Sequence, residues 1–272
     1  MAIKINPNGT KVWALRDRQT QLLNWAKWFI GTIIFMYCWQ MISAETDWDF
    51  FWDAPTIAAD IGGRSVPPKW DYISELGRPL WDTLNIATMG TFMAIVLAIP
   101  VAFMAAHNTT PNKLILRPIA LLIIVSSRSI NSLIWALLLV AIIGPGVFAG
   151  LIAIALRSIG FCAKLLYEAI EEIDENQVEA VTATGASRWQ VMAYAIVPQI
   201  MPALAGITVF RWDINIREST VLGLVGAGGI GLQMQSSMNV LAWPQVSLIL
   251  LIILVAVLVS EWVSAKVRGA II

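Results

Sequence analysis

WPQVSLILLIILVAVLVSEWVSA, residues 243–265, contains one ionisable side chain, Glu261, in 23 positions. A helix needs about 20 mostly apolar residues to cross a hydrocarbon core of about 30 Å, so this stretch reads as a transmembrane helix. Working back along the chain, five further runs of similar length stand between charged, proline or glycine boundaries, at 22–44, 81–106, 118–143, 147–170 and 199–222. The runs at 118–143 and 199–222 are interrupted by polar or charged residues, as expected for broken or pore-facing helices. The reading is an all-α polytopic membrane protein with about six transmembrane helices.

Composition agrees. Of 272 residues 58% are hydrophobic and 13% charged, against about a quarter charged in an ordinary soluble domain. The net charge of zero gives no bulk attraction to nucleic acid. Cys38 and Cys162 both lie in apolar stretches and match no metal-ligand spacing, so neither a disulfide nor a metal site is expected. Lys4, Lys11, Arg16 and Arg18 precede the first apolar run, which is long enough to span, so no cleavable signal peptide is expected.

Orientation follows from the positive charges, because cytoplasmic loops retain Lys and Arg. With the N-terminus inside, the inner segments hold nine (Lys4, Lys11, Arg16, Arg18, Lys113, Arg117, Arg188, Lys266 and Arg268) and the outer segments three (Arg64, Lys69 and Arg78). Both termini are then cytoplasmic, and the acidic, tryptophan-rich stretch 45–82 lies outside. Trp25, Trp28, Trp48, Trp52, Trp81 and Trp243 fall near span ends, where an amphipathic ring suits the headgroup level. Pro55, Pro67 and Pro68 argue against one continuous helix in the outer stretch.

The long hydrophilic stretch 171–198 carries Glu179-Ala180-Val181-Thr182-Ala183-Thr184-Gly185-Ala186-Ser187-Arg188 and ends in Val197-Pro198. Ala180, Ala183 and Gly185 are small enough for a helix to sit deep in a partner's groove. Gly185 suits a helix C-terminus, and Ser187 suits the N-cap of the helix that follows. This sequence resembles the EAA coupling motif of ABC importer permeases, with Glu179, Ala180, Gly185 and Pro198 at the motif's positions. Val181, Ala195 and Val197 depart from the commonest residues by apolar replacements. Further segments, among them Arg128-Ser129-Ile130-Asn131 and Asn215-Ile216-Arg217-Glu218-Ser219-Thr220, are similar to the phosphonate and phosphite branch of these permeases.

The resemblance covers about 81–272, leaving 1–80 as an N-terminal tail, first span and outer segment. It implies a type I ABC importer permease fold in a bacterial inner membrane. The implied assembly is a homodimer with two ABC ATPase subunits, which bind ATP and Mg, and a periplasmic phosphonate- or phosphite-binding protein. The chain itself then carries no cofactor. The coupling motif does not encode the cargo, so an amino acid or phosphate remains an alternative.

Arg128, Arg157, Arg211, Asp213, Arg217 and Glu218 are among the charged residues that fall inside proposed spans. Each costs about 2.5–3.5 kcal/mol at the bilayer centre on insertion scales, so each needs compensation. Asp213 and Arg217, four apart, share a helix face, and Glu218 lies seven from Arg211. Two readings stand. In one the span is held together by buried pairs. In the other Arg128, Ser129, Asn131 and Arg157, with the charges of 211–218, line a pathway for an oxyanion, whose oxygens a guanidinium matches bidentately.

Gly226-Ala227-Gly228-Gly229-Ile230-Gly231 fits the spacing of a dinucleotide fingerprint, but no strand precedes it and the next acidic residue is Glu261. With Gly223 it reads better as a tight bend with close backbone approach, a candidate periplasmic gate. His107 is the single histidine and sits at a span end, so it reads as interfacial. No nucleophile, base and orienter stand at useful spacing, so no catalytic residue is assigned.

Overall fold

The computed structural model describes residues 2–5, 9, 11–14 and 18–271. Arg16 lies outside the described residues, and of Lys4, Lys11 and Arg18 only the backbone is described. The all-α expectation holds from Arg18 onward. Before it, β1 (Ala2–Ile5) and β2 (Lys11–Ala14) pair antiparallel, with Ile3 opposite Trp13.

The chain divides into two compact units at Asp60/Ile61. The first contains α1 (Arg18–Glu45) and most of α2 (Trp48–Ser65). At 1.5 Å per residue the 28 residues of α1 extend about 42 Å, and Phe29, Ile33, Ile34, Phe35 and Met36 are all exposed. Trp, Tyr and Gln residues and Lys27 dilute its apolarity, and α1 is not among the helices apolar enough to count as candidate spans. The α2 helix runs through Pro55, contrary to the sequence expectation, and stops before Pro67. Pro55 removes one backbone bond only, and Trp48, Phe51 and Trp52 pack edge-on over that turn with centroids 5.7 and 5.8 Å apart.

The second unit is a helical bundle. A 3₁₀ turn, Trp70–Tyr72, leads into α3 (Ile73–Ala105). There follow α4 (Leu116–Ser129), α5 (Ser132–Ile143), α6 (Val147–Glu171), α7 (Glu175–Ala183) and α8 (Arg188–Val191). The chain continues through a π-helical turn, Met192–Ile196, into α9 (Val197–Leu222), α10 (Ile230–Asn239) and α11 (Trp243–Ile271). Stretch 61–80, assigned from sequence to the N-terminal part, packs with this bundle: Tyr72 and Leu76 are buried against Ile230, Leu248 and Ile249.

Among the described residues four helical segments are long and apolar enough to cross a membrane, and α4 with α5 makes a fifth, bent by 87° at its break. The polar interruption in 118–143 is thus a real break, and the sixth span expected from sequence falls on α1. Asn131 sits at the break, its Oδ1 accepting from Leu133 N at 3.2 Å and so capping α5.

Helices in lipid gain no hydrophobic drive from contact with one another, so close packing of small residues holds them together. The buried face of α3 is of this kind: Ala87, Gly90, Thr91, Ala94, Ala98, Ala102 and Ala105 recur at helical spacing. It meets α6, whose buried residues include Gly150, Ala153, Gly160 and Ala163. Large apolar side chains point outward instead, as at Phe92, Val96, Leu250, Leu254 and Leu258.

The tightest approach is at the glycine-rich end. A Cβ added to Gly231 would stand 1.9 Å from the carbonyl oxygen of Thr220. Gly206, in the middle of α9, would meet nothing within 4 Å. Gly231→Ala is therefore expected to destabilise the purified chain by about 1–3 kcal/mol through overpacking. Gly206→Ala is expected to stabilise it by about 0.5–1 kcal/mol through helix propensity. Thermal melts of the two variants in one detergent check the opposite signs.

Candidate functional site

The α9 helix carries two polar faces. Arg211, Asn215 and Glu218, at spacings of four and three, point toward α6 and α3. Asp213 and Arg217, four apart, point elsewhere. On the first face Glu218 is a bridge. One carboxylate oxygen accepts from Arg157 Nη1 at 2.9 Å and the other from Arg211 Nη2 at 3.4 Å. The Arg211 side chain is only 3% exposed, whereas that of Arg157 is 33% exposed and presents part of its guanidinium to the outside of the chain.

Further contacts fix these groups. Arg211 Nε donates to Ser158 Oγ at 2.8 Å, and the Arg211 guanidinium lies over the Phe161 ring, 5.1 Å from its centroid. The buried Asn215 donates through Nδ2 to Thr91 Oγ1 at 2.7 Å and accepts at Oδ1 from Ser158 Oγ at 3.2 Å. Side chains of α3, α6 and α9 are thereby joined in one network. Arg157 Nη1 also lies 3.4 Å from Asn131 Oδ1 and 3.3 Å from Ser132 Oγ, so the α4–α5 break is delivered to the same place. Two arginines share one carboxylate, which leaves the cluster one positive charge in excess.

On the second face Arg217 pairs with Asp213, as the i, i+4 spacing implied. Asp213 Oδ1 also accepts from Ser260 Oγ of α11 at 2.9 Å. Arg217 keeps about half its side chain exposed. The predicted candidates therefore separate into three groups. Asn131, Arg157, Arg211 and Glu218 come together. Asp213 and Arg217 form their own pair. Arg128 and Ser129 stand exposed at the end of α4, where Ser129 Oγ donates to Val125 O at 2.8 Å and Arg128 has no hydrogen bond or ion pair with a described residue.

Sequence reasoning missed Ser158, Asn215 and Thr91, whose partners lie on other helices. It also missed Lys164 and Glu168, which pair at 3.5 Å within α6 and were readable from their i, i+4 spacing.

The stretch 171–198 forms a helical elbow clamped at its base. Glu171 Oε1 accepts from His107 N at 2.8 Å and lies 3.5 Å from Arg117 Nη2, tying the end of α6 to the loop after α3. His107 thus serves at this junction, its Nδ1 3.3 Å from the same oxygen. Asp174 N donates to Gln199 Oε1 at 2.9 Å, which ties the start of α7 to the start of α9. Beyond these clamps the elbow projects. Gly185 (φ +80°) ends α7, and Ser187 caps α8, its N–H donating to Gln190 Oε1 at 2.8 Å. Glu179, Ala180, Gly185, Ser187, Arg188 and Pro198 are exposed, Ala186 is half-buried, and Trp189 and Tyr194 are 78% and 74% exposed.

The glycine-rich stretch lies at the opposite end of α9. Gly223 opens a 3₁₀ turn, and Gly226, Gly228 and Gly229 all take positive φ. Their backbone is stitched to neighbouring elements: Gly146 N donates to Gly226 O at 3.0 Å, and Ile230 N donates to Thr83 Oγ1 at 2.8 Å. Protein backbone fills the space that a phosphate would need in a nucleotide cradle. The run acts as a close-packed bend.

The chain as a whole is similar to known proteins. The family described as "Binding-protein-dependent transport system inner membrane component" matches residues 76–268. The chain is 37% identical to the phosphite transport system permease protein PtxC of Stutzerimonas stutzeri, over 87% of this chain and 85% of that one. It is 38% identical to the phosphate-import permease protein PhnE of Mycolicibacterium smegmatis, over 75% of this chain and 38% of that longer one. Among solved structures, a chain of the inward-facing MetNI methionine ABC transporter superposes with a TM-score of 0.62 at 21% identity, covering 72% of this chain and 96% of that one. Family, relatives and fold agree: this chain belongs to the binding-protein-dependent transport system inner membrane component family, as a multi-pass inner-membrane permease.

Proposed function

We propose that the chain forms half of the membrane pathway of an ATP-driven importer, working as a homodimer, for a phosphorus oxyanion of the phosphite or phosphonate class. A periplasmic binding protein delivers the cargo. Separate ATPase chains hydrolyse ATP and dock on the 171–198 elbow. The observation that carries the reading is Glu218 shared between Arg157 and Arg211, in a chain whose relatives include a phosphite permease. With no cargo present, Glu218 compensates both guanidiniums. An arriving oxyanion competes for the exposed part of Arg157, which Asn131 and Ser132 help to orient, and the excess positive charge favours its entry. Arg128 adds a second cation at the same break.

The elbow supplies the mechanical side. Clamped at its base and free at its tip, it passes a push from the ATPases directly into α6 and α9. With the elbow cytoplasmic, α1 supplies a sixth span and the glycine bend faces the periplasm as the gate. A second reading keeps the architecture and changes the cargo to phosphate, favoured by the phosphate-import relative. Stimulation of ATPase activity in the reconstituted complex discriminates. Phosphite- or phosphonate-loaded binding protein is expected to stimulate. Stimulation by phosphate or an amino acid alone would reject the assignment.

Two substitutions separate transport from folding. Arg128→Ala is expected to assemble normally and to impair uptake, because Arg128 is exposed and makes no bond that holds the fold. Wild-type uptake by this variant would remove Arg128 from the pathway. Arg211→Ala leaves Glu218 and Ser158 short of a buried partner and is expected to cost about 3–5 kcal/mol of stability, measured as lost thermal resistance. At the elbow, Trp189→Ala is expected to weaken association with the ATPase by about tenfold, as for an exposed aromatic anchor. A binding titration of the purified subunits reads this directly.

A further inference from the structure

A second stripe on α6 continues from the charged cluster toward the elbow. Arg157, Phe161, Lys164, Glu168 and Glu172 follow one another at intervals of four, three, four and four, which keeps them on one helix face. Phe161 stacks on Phe210 of α9, with ring centroids 6.1 Å apart. Below that pair lies an open cavity of about 560 Å³, lined by Leu165, Glu168, Glu172, Gly206, Phe210 and Arg268 among others. Its far end is at Glu172, beside the base of the elbow, and its near end is at Phe210, next to Arg211.

Lipid is a poor occupant for this cavity. Lys164 and Glu168 sit inside a transmembrane helix with 38% and 42% of their side chains exposed, and hydrocarbon penalises charges placed there. Even as a pair, their exposed share is better solvated by water than by hydrocarbon. The α9 wall is built from small residues, Ala203 and Gly206 with Pro202, which is what opens the space. The charges also differ from those of the upper cluster. Arg157, Arg211 and Glu218 sum to one positive charge, whereas the charged residues that line the cavity, Arg268, Glu168 and Glu172, sum to one negative charge. An anion drawn to the upper cluster meets no net attraction in the cavity, a sequence that suits release.

We propose that the α6–α9 cavity is the cytoplasmic exit of the pathway, with the Phe161–Phe210 stack at its inner end. This rests on the transport reading above and assigns the exit half, which that reading left open. Gly206 gives the test, because its missing Cβ faces open space and a larger side chain fits without disturbing the backbone.

The experiment uses the assembled transporter in inverted membrane vesicles, with exposed Cys38 replaced by Ser and buried Cys162 retained. Gly206→Cys is expected to react fully with a membrane-impermeant maleimide applied from the cytosolic side, while the outward-facing control Leu254→Cys stays unlabelled. In intact cells Gly206→Trp is expected to abolish uptake of phosphite while the chain still assembles with its partners. An unlabelled Gly206→Cys, or wild-type uptake by Gly206→Trp, would overturn the proposal. Labelling requires no cargo, so a transporter that proves inactive on phosphite refutes the cargo assignment while labelling still decides the nature of the cavity.

Discussion

A charge in hydrocarbon is costly unless it is paired, and in this bundle one carboxylate is shared between two guanidiniums, which leaves one positive charge in excess. Glu218 reaches Arg157 on α6 and Arg211 on its own helix. Close packing of α3 against α6, through alanine and glycine on both and threonine on α3, sets the frame in which this contact forms. The polar network of Thr91, Ser158 and Asn215 gives Arg211 Nε and Asn215 Nδ2 their acceptors. A buried polar network of this kind tolerates little distortion, since each unpaired member carries its own desolvation penalty. It therefore holds α3, α6 and α9 in one relative arrangement.

That arrangement links the two ends of the protein. The α9 helix has 26 residues, about 39 Å of rise. At one end it is tied through Gln199 to the elbow, and at the other it runs into the glycine bend, where Ile230 N is held by Thr83 of α3. The charged cluster lies between them. A displacement of the elbow cannot be absorbed by loops, because Glu171, His107 and Arg117 clamp its other side. The π-helical turn Met192–Ile196 sits where the elbow joins α9, an irregularity of the kind often found where function places it.

Much of this was legible in the sequence. The runs at 22–44 and 243–265 read most clearly as spans, but only the second lies on a helix apolar enough to count as one, while 147–170 also holds; the break near Asn131 was visible because serines and an arginine interrupt an apolar run. The elbow was visible in its small residues, glycine and capping serine, and the Asp213–Arg217 pair in its spacing of four. Other features depend on tertiary structure. Arg157 and Glu218 are 61 residues apart, so their pairing required the helices to be placed first. Glu171 opens a hydrophilic stretch and gives no local sign of its partners, yet it is held by His107 and Arg117. The continuity of α2 through Pro55 depends on aromatic contacts that no local rule anticipates. The stretch 61–80 was grouped with the N-terminal part because its polar residues obscure Tyr72 and Leu76, which insert into the bundle.

The central claim, an oxyanion pathway driven through the elbow, is most directly tested by uptake into proteoliposomes. These would contain the permease, its ATPase and the binding protein, with radiolabelled phosphite outside the binding-protein face. The account expects accumulation against a gradient that requires ATP, the ATPase and the binding protein together. Accumulation that persists without the ATPase, or no accumulation by the complete and folded complex, would contradict it.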